Sequence, residues 1–114
     1  MKAYVSGPMR NYPDNNFPAF YAAERTLRRR GWDVINPARL DEEDPAPQGM
    51  SYSQSRRFYM DRDLNIIISE MWAEFGDTVF LLPGWTQSDG ALAEVALARS
   101  LGMRVKMFVE EERK

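Results

Sequence analysis

Three short apolar runs in this chain end against proline: "YVSGP" at residues 4–8, "VINP" at 34–37 and "FLLPG" at 80–84. Proline has no N–H to give a β-ladder, and Gly-Pro and Pro-Gly pairs close strands. Each run is therefore a short strand with a fixed end, and the segments between them must be helix or loop. "KAYVS" (2–6) is the first strand, "WDVIN" (32–36) the second, "DTVFLL" (77–82) the third, and "RVKMFV" (104–109) the last, followed by a charged tail.

The intervening segments are largely helical. "NNFPAFYAAERTLRRRG" (15–31) offers Asn15 or Asn16 as a cap, Pro18 in the first turn and Gly31 as a stop. Phe17, Phe20 (or Tyr21) and Leu27 give it an apolar side, and Arg25 and Arg28, Arg29 and Arg30 lie toward its C-terminal end, where the helix dipole favours cations. A second long helix is expected over 53–72 and a third within 85–102, whereas 38–51, "ARLDEEDPAPQGMS", reads as an acidic, Pro-rich loop of lid length. The order is β-α-β-α-β-α-β without internal repeat. It predicts one α/β domain over 1–114: a small doubly wound, flavodoxin- or Rossmann-like, mainly parallel sheet with helices on both faces. Ligands of such sheets bind beyond the carboxyl ends of the strands. That rule brings residues 6–10, Asn36, residues 83–88 and the start of the last helix to one edge.

The residue inventory limits the chemistry. The chain has no cysteine and no histidine, which excludes thiolate nucleophiles, disulfides and zinc-thiolate sites, and removes the commonest general base. Three lysines stand without motifs around them, so carboxylates, hydroxyls and arginines must carry any catalysis. A net charge of −2 argues against duplex nucleic acid and anionic membrane as partners. No apolar run reaches 18 residues and no leader pattern opens the chain, so a cytoplasmic location is expected. Neither G-x-G-x-x-G nor G-x-x-x-x-G-K-[ST] occurs. The cluster from Asp41 to Asp44 fits no calcium loop, so neither metal nor cofactor is expected.

One carboxylate is out of place. On a helical wheel Glu94 falls among Ala98, Leu97 and Leu101, where a solvated side chain does not belong. A buried carboxylate pairs, neutralises or serves a site; an arginine such as Arg99 or Arg10 is the structural alternative. Asp63 shares a stripe with Tyr59, Ile66 and Ile67 and looks inward, while Asp61 looks outward. Arg10, just past a strand end, suits bidentate capture of a phosphate or carboxylate.

Read together, "YVSGPMR", "RDLN" and "SDGALAE" resemble motifs of the nucleoside 2-deoxyribosyltransferase superfamily, in the right order from Tyr4 to about Phe108. The nearest likeness is to its 2′-deoxynucleoside 5′-monophosphate N-glycosidases and to small phage-type members. The resemblance implies Glu94 as nucleophile at C1′ of a deoxyribonucleotide, Asp63 as the group that protonates the departing base, and Tyr4 as a hydrogen-bond donor to Glu94. It implies a 5′-phosphate over Gly7, Pro8 and Arg10, near Ser88 and Gly90. Asn36 and Trp85 are candidates for selecting the base, and Trp85, Tyr12 or Phe17 for stacking it. A homodimer follows from the same resemblance. A base-exchanging transferase and a non-catalytic nucleotide-binding module are the alternatives.

Overall fold

The computed structural model describes residues 1–110. The charged tail expected at the C-terminus lies, from residue 111, outside the described residues. Four strands, β1 (Lys2–Ser6), β2 (Asp33–Ile35), β3 (Thr78–Leu81) and β4 (Arg104–Met107), form one sheet in the order β2-β1-β3-β4. All three pairings are parallel. Four helices connect them: α1 (Phe17–Arg29), α2 (Pro37–Glu43), α3 (Tyr52–Glu70) and α4 (Asp89–Ser100). From β1 the chain steps outward to β2, then returns across β1 to β3. The two directions of winding diverge between β1 and β3.

The alternation of side chains along the strands divides the core in two. Ala3, Val5, Phe80 and Leu82 face Phe20, Ala23 and Leu27 of α1 and Ala38 of α2. Tyr4, Val79 and Leu81 face Ile67 of α3, Met71 just past its end, and Val95 and Ala98 of α4. The sheet is thus covered on both faces, as a doubly wound fold requires. No helix among the described residues is long and apolar enough to cross a membrane.

The structure corrects the sequence reading in three places. The start of the expected loop at 38–51 is helical. Asn36 caps α2 by accepting the Ala38 N–H at 2.9 Å, and Pro37 occupies the first turn, where its missing N–H costs nothing. Neither Asn15 nor Asn16 caps α1 with its side chain. Both are left-handed, with φ of 52° and 60°, and Asn16 instead donates to the Pro8 carbonyl at 2.8 Å. Leu101 does not wall in Glu94, because it lies past the end of α4 and is 44% exposed.

Two glycines bring the loops close at the carboxyl edge. A Cβ on Gly7 would lie 2.8 Å from Leu82 Cβ, so only glycine lets the chain leave β1 against the end of β3. Gly84 has φ +85° and passes beneath the Tyr12 hydroxyl, which a Cβ would meet at 2.5 Å.

Candidate active site

A cleft of about 870 Å³ opens at the carboxyl edge, where the winding reverses between β1 and β3. Its inner end is built on strand periodicity. Tyr4 and Ser6 are two residues apart on β1 and so point to the same face, toward α4. On α4 the buried stripe is Ala91, Glu94, Val95 and Ala98, a three-and-four spacing that turns Glu94 toward the strand. Tyr4 Oη donates to Glu94 Oε2, and Ser6 Oγ donates to Glu94 Oε1 at 2.7 Å. Glu94 is 8% exposed, and both of its oxygens are held by hydroxyls rather than by an arginine. The small side chain of Ala91 and the bare backbone of Gly90 leave the space in front of it open.

This environment favours the neutral acid. Burial pushes the Glu94 carboxyl up to about 8, further raised by the nearby Asp63 charge and only partly offset by the Tyr4 and Ser6 hydroxyls. Burial beside a carboxylate also drives the Tyr4 phenol well above its ordinary value, so it stays a donor. Asp63 sits across the cleft on α3, with its side chain 13% exposed. Burial lifts it to about 6 against the opposing pull of Arg62. Asp61 faces solvent and is tied to Asn65.

Arg62 lies between two carboxylates. It donates from Nε to Asp63 Oδ1 at 2.9 Å and from Nη2 to Asp41 Oδ1 at 2.5 Å. Asp41 comes from α2, the segment read as a loop, and its carboxyl also lines the cleft.

The outer end is cationic. Arg10 Nη1 donates to Tyr52 Oη at 2.6 Å, and its guanidinium lies 4.3 Å from the centre of the Tyr52 ring. Arg56 stands 5.7 Å from the same ring and pairs with Asp89 at 3.7 Å. Ser88 caps α4 by accepting the Ala91 N–H at 3.2 Å, which leaves its own hydroxyl proton free to donate into the cleft. With the N-terminus of α4, these groups gather hydrogen-bond donors and positive charge at one end of the cleft, of a kind that suits an anion, beside the Asp89 carboxylate.

Of the sequence candidates, Tyr4 and Glu94 meet directly. Gly7, Pro8, Arg10, Asp63, Ser88 and Gly90 line the same cleft, as do Tyr12 and Phe17. Two candidates do not belong to it. Asn36 is buried under α2, where its side chain caps that helix and donates to Glu24 Oε1 at 3.0 Å. β2 is an edge strand, so its end is one strand removed from the β1/β3 divergence. Trp85 turns inward from a 3-10 turn and packs on the core between the sheet and α3 and α4. Sequence reasoning brings Ser6 to this edge without pairing it to Glu94, and it misses Asp41, Tyr52, Arg56 and Arg62. Ser6 alone is within reach of a local rule, the period of two applied from Tyr4.

The raised carboxyls make stability depend on pH with a definite sign. Glu94 binds its proton more tightly folded than unfolded, so the stabilisation present below pH 4.5 is lost as pH rises through 8. Asp63 adds to the same trend between about 4 and 6. The expected result is an unfolding free energy lower by roughly a few kcal/mol at pH 8.5 than at pH 5.5, seen as a lower Tm. Glu94→Gln flattens most of that slope in a thermal melt; an unchanged slope in the variant places the effect elsewhere.

One family model matches residues 1–107, that of DUF4406, described as a domain of unknown function. No curated protein and no solved structure matches the chain.

Proposed function

We propose that this chain, which belongs to the DUF4406 family, is a nucleotide N-glycosidase that removes or exchanges the base of a 2′-deoxynucleoside 5′-monophosphate. The observation that carries this reading is the Glu94 carboxylate, buried, aimed by Tyr4 and Ser6, and facing Asp63 across a cleft whose mouth is cationic. A pure anion-binding module gains nothing from two inward carboxylates. The assignment to a deoxyribosyltransferase-like superfamily and a homodimer belong to the same proposal and rest on the motif resemblance; a cytoplasmic location is proposed with them on separate grounds.

The chemistry is a two-step displacement with retention. An ionised Glu94 oxygen attacks C1′ as the bond from C1′ to the base nitrogen breaks. The bonding pair leaves with the base, which takes the proton from Asp63. Water then attacks C1′ of the glycosyl ester, Asp63 accepts its proton, and Glu94 is released as carboxylate. A second base in place of water gives exchange. The alanine and glycine side of α4 admits the sugar, while Arg10, Ser88 and the α4 N-terminus hold the phosphate.

The first step needs the one proton of the carboxyl pair on Asp63, which is the minor arrangement of the singly protonated pair because Glu94 holds a proton more tightly. Activity therefore rises as the doubly protonated pair loses a proton, near pH 6, and falls when the last one is lost, near pH 8. The test is chromatography for free base after incubation with each deoxy- and ribonucleoside 5′-monophosphate and the matching nucleosides, with and without an acceptor base. Release from a monophosphate with a bell-shaped pH profile, and with the nucleoside spared, is expected. No release or exchange from any of them rejects the proposal.

A further inference from the structure

The functional reading assigns Asp63 a proton but leaves unexplained why that acid lies against an arginine. A guanidinium bonded to a carboxylate stabilises the ionised form, the wrong direction for a proton donor. Arg62 makes two contacts to Asp63 Oδ1, at 2.9 Å through Nε and 2.8 Å through Nη2. The same Nη2 reaches Asp41 Oδ1 at 2.5 Å, a shorter contact than either. All three side chains are well buried, with exposures of 15% for Arg62, 17% for Asp41 and 13% for Asp63, so their charges are weakly screened. The Arg62 guanidinium also lies over the Tyr59 ring, 5.3 Å from its centre.

We infer that Asp41 is a positioning residue that shares the Arg62 guanidinium with Asp63, weakening its hold on that carboxyl, and so keeps the acid able to hold its proton. This rests on the functional reading above for its consequence in turnover, but its geometry stands without it. Asp41 acts twice: it takes a share of the guanidinium's charge, and its own negative charge sets a second carboxylate near Asp63. The groups that face Asp63 are Tyr4 of β1, Asp41 of α2, Arg62 and Tyr59 of α3, and Glu94 of α4. Of these, Asp41 disfavours its ionisation and Arg62 favours it.

The variants Asp41→Asn and Arg62→Gln separate this role from a structural one, because they act in opposite directions. The first keeps the size and the acceptor oxygen but loses the charge, leaving Arg62 to Asp63. The direct measurement is carbon-detected NMR titration of the Asp63 carboxyl in a Glu94→Gln background, which removes the coupled partner and needs no turnover. Asp41→Asn is expected to lower the Asp63 midpoint by about one pH unit and Arg62→Gln to raise it. In the active background, the acid limb of base release moves the same way in each variant. A midpoint that stays put in Asp41→Asn, or moves in the same direction in both, overturns the inference. If no substrate is turned over, the kinetic arm is silent while the titration still decides the matter, so failure of the functional reading is told apart from failure of this one.

Discussion

Glu94→Gln is expected to lower base release by at least about a thousandfold while leaving nucleotide affinity within a few-fold. The reason lies in what the substitution keeps. Glutamine has the shape of glutamate, and Tyr4 Oη and Ser6 Oγ, both hydroxyls, either donate or accept. The two-point support survives, the cleft keeps its form, and only the nucleophilic oxygen is lost. Losses of this order accompany removal of a group that bonds to substrate in the transition state. Equilibrium binding by calorimetry, set beside the rate, gives the split. Undiminished turnover in the variant removes Glu94 from the reaction, and affinity lost in proportion to rate makes it a binding group.

Asp63→Asn is expected to cost about a hundredfold to ten-thousandfold in rate, the usual yield of a positioned proton donor. The loss depends on the leaving group. A base that departs as a weakly basic anion needs no proton, so an analogue carrying such a leaving group is largely spared. The alkaline decline also disappears, since the amide has no proton to lose in this range, and the remaining profile rises only with ionisation of Glu94. A uniform loss across leaving groups, with the alkaline limb intact, assigns Asp63 to structure instead.

Much of the architecture is legible in single residues. Pro8, Pro37 and Pro83 mark three strand ends, and apolar periodicity marks three of the four helices. The misplaced carboxylate on α4 is visible because helical spacing is rigid: position 94 has to fall with 91, 95 and 98. The failures share a physical cause. Asn36-Pro37 is both a strand stop and a helix start, and reading only the first hides α2 and, with it, Asp41. The bond of Arg62 to Asp41 spans 21 residues and exists only because the tertiary fold brings the two side chains together, which no local pattern encodes. Nearness to strand ends is what makes Asn36 and Trp85 look like site residues. Strand order and the direction of a 3-10 turn, both non-local, decide that Asn36 serves Glu24 and Trp85 serves the core.

The two hydroxyls that hold Glu94 are 90 and 88 residues away from it in the chain. Tyr4 and Ser6 therefore leave the ribosome long before Glu94 is made. Until then the nascent chain contains a phenol and a hydroxyl without their acceptor, and afterwards, for a time, an ordinary solvated glutamate. The paired carboxylate comes into being only when β1, β3 and α4 close on one another. On the proposed function a half-made product is thus chemically silent, and the ionisation of this one group reports on the docking of α4 against β1.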